Sequence, residues 1–163
     1  MISQDAFARE VRALTDTAFA VSYLILGNRA DCEDAMSEAI LRAYEGRDKL
    51  KRWDSFRAWF LRILRNEAYT LLRKRRRLTP VEELPEEAAP EGDSACRLDL
   101  RSALRQLPEN QRISLLLQQE GYDLGEIAEI TDAPVGTVKS RISRAKKTLR
   151  AILEEEYNGK QAI

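Results

Sequence analysis

No histidine occurs in the 163 residues, which removes the commonest general base and the commonest side-chain ligand for a transition metal together. Cysteine is nearly missing as well. Cys32 and Cys96 are the only two thiols, far apart in sequence, so there is no disulfide framework and no paired-cysteine metal motif; a reducing, cytoplasmic setting is expected. No apolar run approaches the ~20 residues that a membrane span requires, and the opening MISQDAFAREVRAL lacks the basic-then-apolar order of a secretion signal, so no membrane insertion is expected. A net charge is missing too: 27 basic residues balance 27 acidic ones, and the overall balance names no polyanionic partner. Nor is there a nucleophile paired with a base, a phosphate-binding glycine loop or a metal cluster. No catalytic residue, metal or cofactor is therefore expected, and an enzyme is the least supported class.

What is present is helical periodicity almost everywhere, with no period-two alternation to compete with it, so the fold class is all-α. The length suits two small helical domains. The first helix is expected over about Gln4 to Leu26, burying Phe7, Val11 and Leu14 and residues on to Tyr23, and stopping at Gly27-Asn28, two residues that tolerate the left-handed conformation. Asp31 reads as the N-cap of a second helix whose buried side carries Cys32, Ala35, Met36, Ala39 and Ala43, with Gly46 closing it. Asp54 to Arg77 contains neither proline nor glycine. Phe56, Phe60, Ile63, Leu64, Leu71 and Leu72 supply its buried stripe, with room for a bend or break in the middle.

Charge is balanced in total and segregated along the chain. Residues 81 to 96 carry six acids and no base, whereas 134 to 153 carry six bases and no acid. The run LTPVEELPEEAAPEGDSA holds three prolines and one glycine with too few large hydrophobes for a core, so 78–96 reads as a flexible acidic linker between domains at 1–77 and 97–158. In the second domain Arg97 to Gln106 reads as a helix, Pro108 starts the next, which runs to Glu120, and Gly121 stops it. Asp123 with Glu126 forms a capping-box pattern for a short helix through Ile127, Ala128 and Ile130. After a turn at Thr131 to Ala133, Pro134 starts a last helix with Val135, Val138, Ile142, Ala145, Leu149 and Ile152 facing inward.

Two short helices across a tight turn, the second with a basic outer face, have the form of a helix-turn-helix. With that inward stripe, Lys139, Ser140, Ser143, Arg144 and Lys147 share the outward one. A helix of this width fits the major groove, where each good base contact discriminates by ~1 to 3 kcal/mol. A merely solvated surface helix is also often rich in lysine, but such helices mix charge signs, and this one holds no acid over twenty residues.

The first domain has two polar faces. Arg62, Asn66, Tyr69 and Arg73 stand at steps of 4, 3 and 4, a set of cations, amide and ring that suits single-stranded DNA, although an arginine-rich helix end also satisfies the helix dipole locally. Asp34, Glu38, Leu41 and Glu45 repeat the same steps as an acidic face around a leucine, which points to a protein partner.

These stretches resemble the sigma-70 superfamily, in particular its extracytoplasmic-function (ECF) sigma factors. The family's second region resembles LGNRADCEDAMSEA at Leu26 to Ala39 and FRAWFLRI at Phe56 to Ile63 with Asn66; its fourth resembles LPENQR at Leu107 to Arg112, GYDLGEIA at Gly121 to Ala128 and PVGTVKSRI at Pro134 to Ile142. The resemblance implies a sigma factor that binds core RNA polymerase and directs promoter recognition. Asp34, Ala35, Ser37, Glu38 and Leu41 would dock on the clamp coiled coil of the largest subunit. Arg62 and Asn66, with the loop from about Gly46 to Asp54, would hold the opened minus-ten strand, and Lys139, Ser140, Ser143 and Arg144 would read the minus-35 element. Trp59 would be core. Ser37, Thr70 and Ser143 depart from the family's usual glutamine, acid and aromatic or histidine. A cognate anti-sigma factor is a further implied partner. Two other readings remain open: a sigma mimic that binds only an anti-sigma factor, and an ordinary helix-turn-helix regulator with an N-terminal dimerisation or ligand domain. Isolated modules on a linker are expected to bind promoters weakly, and the holoenzyme strongly and with salt sensitivity.

Overall fold

The structure, a computed structural model, describes residues 2–78 and 102–161, and among the described residues there are only helices and turns. Helix α1 (Gln4–Leu26) starts where the Ser3 hydroxyl accepts the Ala6 N–H, and ends at Gly27, whose φ of 76° closes it as expected. Phe7, Val11 and Leu14 are buried, and Tyr23 is half-buried. Asn28 does not share the left-handed end. It is extended (φ −147°) and caps α2 (Arg29–Glu45), its side-chain oxygen accepting the Asp31 N–H at 2.9 Å. Asp31, expected to be the cap, is instead inside the first turn and only 5% exposed. Three residues separate a cap from the N–H it accepts, so once Asn28 takes the extended position Asp31 must turn inward. There it accepts hydrogen bonds from Asn28 Nδ2 at 3.0 Å and Arg75 Nη2 at 2.9 Å, which makes its burial tolerable.

Cys32, Ala35, Ala39 and Ala43 line the buried side of α2, and Met36 is half-buried. Their short side chains let α2 lie close to α3 (Phe56–Leu78), which follows two 3-10 turns at Arg47–Lys49 and Trp53–Ser55. Helix α3 is unbroken. No residue in it lacks an N–H, and Phe56, Phe60, Leu64, Ala68 and Leu72 stay buried along its whole length, so nothing favours the mid-helix break that the sequence allowed. Phe56 stacks on Phe60 with centroids 5.9 Å apart, and Phe7 meets Phe56 edge-on at 5.7 Å. Trp59 packs, half-buried, against this core. Leu78, placed in the linker by composition, is the last residue of α3. The rest of the linker, Cys96 and the helix start at Arg97 lie outside the described residues.

After a helical turn at 102–105, Pro108 occupies the cap position rather than the first helical one, and α4 spans Glu109–Gln119. The chain turns at Gly121 (φ 90°) into α5 (Leu124–Thr131), leaves it through Asp132 (φ 52°), and continues as α6 (Val135–Gln161). The two halves do not keep separate cores. Phe7, Phe56 and Leu64 belong to one apolar cluster with Ile113, Leu117, Tyr122, Ile127, Ile130 and Val138, while Leu107, Leu115 and Ala145 form a small second one. Helix α3 packs on α1 and α2 and also on α5, and α1 touches α4.

Candidate nucleic-acid interface

The helix-turn-helix is built as its residues suggest. Asp123 accepts the Glu126 N–H at 2.8 Å and its own N–H donates to the Glu126 carboxylate at 3.2 Å, a complete capping box for α5. Thr131, the last residue of α5, donates its hydroxyl to the Ile127 carbonyl at 2.7 Å. In α6, Val138, Ile142 and Ala145 are buried, and Leu149 and Ile152 partly so. Val135, assigned to the same inward stripe, is 41% exposed. Pro134 to Thr137 are all exposed, so the first turn of α6 stands clear of α5 and the stripe begins one turn later. A recognition helix needs such a projecting N-terminal turn to enter a groove.

Lys139, Ser140, Ser143, Arg144 and Lys147 are all exposed, as their offsets require. No ion pair among the described residues engages Lys139, Arg144 or Lys147. The ridge therefore carries unneutralised positive charge.

The face on α3 is different. Arg62, Asn66 and Arg73 are exposed and Tyr69 is half-buried, so the four share a face, but the second half of the chain lies over its N-terminal part. Arg62 pairs with Asp132 of the turn at 3.5 Å. Burial pushes the Tyr69 phenol above the usual tyrosine value, and the facing Glu109 carboxylate pushes it further. The Arg65 guanidinium lies 4.7 Å above the Tyr69 ring. Arg73 donates to the Thr70 hydroxyl at 3.4 Å.

Sequence reasoning missed Arg57. Its Nε and Nη2 both donate to the Glu126 carboxylate, which holds the guanidinium pKa above its ordinary value against the opposing effect of burial. The same guanidinium lies 4.2 Å over the Tyr122 ring. Glu126 thus caps α5 and ties it to α3 at once. No signal in the sequence marks this pair, whose members are 69 positions apart.

On α2, Asp34, Ser37, Glu38, Leu41 and Glu45 are exposed, and Leu41 is 51% exposed, a large side chain left in water. Ala35, grouped with them, is not on that surface: it is 2% exposed and belongs to the core, because it lies on the α3 side of the helix. Two arginines frame the acidic face. Arg42 meets Glu38 at 3.3 Å and the shielded Glu67 of α3 at 2.8 Å, and Arg75 joins Asp31 to Asp34, the latter at 3.9 Å. Among the described residues no histidine, cysteine, aspartate or glutamate cluster is arranged to hold a metal, and no helix is long and apolar enough to cross a membrane.

Residues 4–78 match the Sigma-70 region 2 family and residues 97–149 the Sigma-70, region 4 family. The ECF RNA polymerase sigma factor SigW of Bacillus subtilis is 31% identical over 170 residues, covering 93% of this chain and 91% of its own. EcfG of Rhodopseudomonas palustris, also an ECF RNA polymerase sigma factor, is 35% identical over 144 residues, covering 83% and 77%. The sigma factor RpoE of Bartonella quintana, solved in complex with the anti-sigma factor NepR, superposes with a TM-score of 0.75 at 27% identity, over 91% of this chain and 96% of that one. With both regions matched in order and near-full-length relatives of one kind, the chain belongs to the sigma-70 family, as an ECF RNA polymerase sigma factor.

Proposed function

We propose that this sigma factor works through three separate surfaces. The α6 ridge of Lys139, Ser140, Ser143, Arg144 and Lys147 reads the minus-35 element in the major groove. The α3 face of Arg62, Asn66, Tyr69 and Arg73 holds the opened minus-ten strand, its ring stacking a base and its cations following phosphates. Asp34, Ser37, Glu38 and Leu41 dock on the clamp coiled coil of the polymerase's largest subunit, with Arg42 and Arg75 fixing the acids in place. Residues 1–77 and 97–158 act as the two domains and 78–96 as their tether. The chain contributes no catalysis of its own and acts in the cytoplasm, where polymerase and promoters are. Polymerase would fix the spacing of two weak DNA sites and so convert them into one bivalent site. An anti-sigma factor is a further proposed partner, because the similar RpoE is held by one.

The observation that carries this reading is the α6 ridge, exposed along its length and free of acids. A regulator that binds operators unaided would share that ridge, yet the acidic α2 face with its bare Leu41 would then have no role. Transcription in vitro with core polymerase on a promoter library tests it. Wild type is expected to start at discrete sites, Asp34→Arg to fail by losing core polymerase, and Lys139→Ala with Arg144→Ala to fail while still binding it. Transcription by all three indistinguishable from core enzyme alone would sink the proposal.

A further inference from the structure

We infer that Glu67 and Asp31, two shielded acids behind the α2 docking face, set the charge of that face: each holds the arginine that would otherwise neutralise an exposed acid, and so keeps Glu38 and Asp34 available to a cationic partner. This deepens the docking reading of α2 and rests on it.

Asp34 and Glu38 stand four positions apart on α2, where like charges repel. An arginine sits beside each of them. Arg75 Nη2 lies 3.9 Å from Asp34 and 2.9 Å from Asp31, and Arg42 Nε lies 3.3 Å from Glu38 and 2.8 Å from Glu67. In both groups the shorter contact goes to the acid hidden from water. The side chains of Asp31 and Glu67 are 7% and 11% exposed, against 66% and 49% for Asp34 and Glu38. Attraction between charges is stronger where water is excluded, so each arginine belongs first to its shielded acid. Two acids sharing one arginine leave one net negative charge, and that charge resides on the exposed member. A single acid facing the same arginine would leave none.

The two groups are crossed. One takes its arginine from α3 and its shielded acid from α2, and the other does the reverse, so both span the seam between the helices. Glu67 and Arg75 stand five and thirteen positions after Arg62, about 140° to either side of it around α3. This helix therefore turns one side to the strand-binding face and the other to α2. Both groups end on the acids of the face that carries Leu41, 51% exposed, rather than elsewhere along the seam. Charges at the margin of an interface act mainly on the rate of encounter and are screened by salt. The consequence of Glu67 and Asp31 is thus felt by an approaching cationic surface, at a distance from either side chain.

The test uses the full chain with Glu67→Gln, which removes a charge and keeps the shape of the side chain. Fluorescence anisotropy reads its binding to core RNA polymerase at low and at high salt. Binding is expected to weaken about fivefold at low salt, the size of one exposed charge pair lost, and the difference should close at high salt. Adding Arg42→Gln frees Glu38 and should recover most of the loss. A fold merely weakened by the first change would be weakened further by the second, not restored. Should Glu67→Gln fold poorly, Asp31→Asn with and without Arg75→Gln repeats the measurement on the other group. An affinity unchanged by Glu67→Gln, a loss that persists at high salt, or a loss that Arg42→Gln does not recover would each overturn the inference. The docking reading is scored separately by Asp34→Arg, which reverses a charge on the face itself. If that variant binds core polymerase as tightly as wild type, the docking reading falls and the inference with it; a loss with Asp34→Arg but none with Glu67→Gln strikes the inference alone.

Discussion

The ridge on α6 and the face on α3 are both helix surfaces rich in cations, yet one is bare and the other half-covered by its own chain. The difference lies in their neighbours. Among the described residues no ion pair engages Lys139, Arg144 or Lys147 of the α6 ridge, whereas the N-terminal part of α3 faces α5 and the turn that follows it, which carry Glu126 and Asp132. A capping box places a glutamate or glutamine at the third position of a helix, and here that residue is the acid Glu126, which also becomes an ionic partner for the helix packed against it.

The largest expected effect comes from weakening the core that the two halves share. Phe60→Ala, at a fully buried ring of α3, is expected to destabilise the protein by about 3–5 kcal/mol; urea titration followed by circular dichroism measures it. The α3 face should be lost with the fold, which Lys139→Ala with Arg144→Ala should leave intact. That double change is expected to weaken holoenzyme binding to a duplex minus-35 site by about a hundredfold and to reduce the salt slope by about two. Binding isotherms across a salt series separate the two effects. A slope unchanged by the substitution would mean that the ridge does not neutralise phosphate.

Smaller effects sharpen the contrast. Gly121→Ala, at φ 90° in the turn before α5, should cost about 1 kcal/mol or more by strain and shift the thermal midpoint down by a few degrees without altering the ridge. The smallest expected effect concerns pH. Tyr69 and Tyr122 both titrate above the usual tyrosine value because burial disfavours the phenolate. A folded pKa raised above the unfolded one means that the unfolded chain loses its proton first. Their contribution to stability is therefore whole below about pH 10 and is lost as pH rises through the folded values. Thermal unfolding at pH 9 and 11 should show that loss, and Tyr69→Phe with Tyr122→Phe should reduce it; an equal loss in the double variant would remove these rings from the account.

Local rules were legible in the residues. The bounds of α1, the Gly27 stop, the capping box at Asp123 and Glu126, and the exposure of Lys139, Ser140, Ser143, Arg144 and Lys147 all follow from spacing and from backbone preferences that act within a few residues. Legibility failed where two local solutions compete. Asn28 and Asp31 are both good caps, and Asn28 wins because Arg75, 44 positions away, offers the buried Asp31 a charged partner. Val135 fits the apolar stripe by number, but a stripe is buried only where another helix lies over it, and among the described residues none covers the first turn of α6. Ala35 was carried over to the docking surface with its neighbours, although its place on the helix turns it toward α3.

By itself the sequence determined an all-α chain, two helical halves, a helix-turn-helix and three polar faces, because helical period, caps and charge runs act over a turn or two of backbone. Tertiary structure alone decided which faces stay in water. The Arg57–Glu126 and Arg62–Asp132 pairs exist only because packing α5 against α3 brings distant residues within reach. An ion pair has no period along a chain, so no reading of spacing contains it.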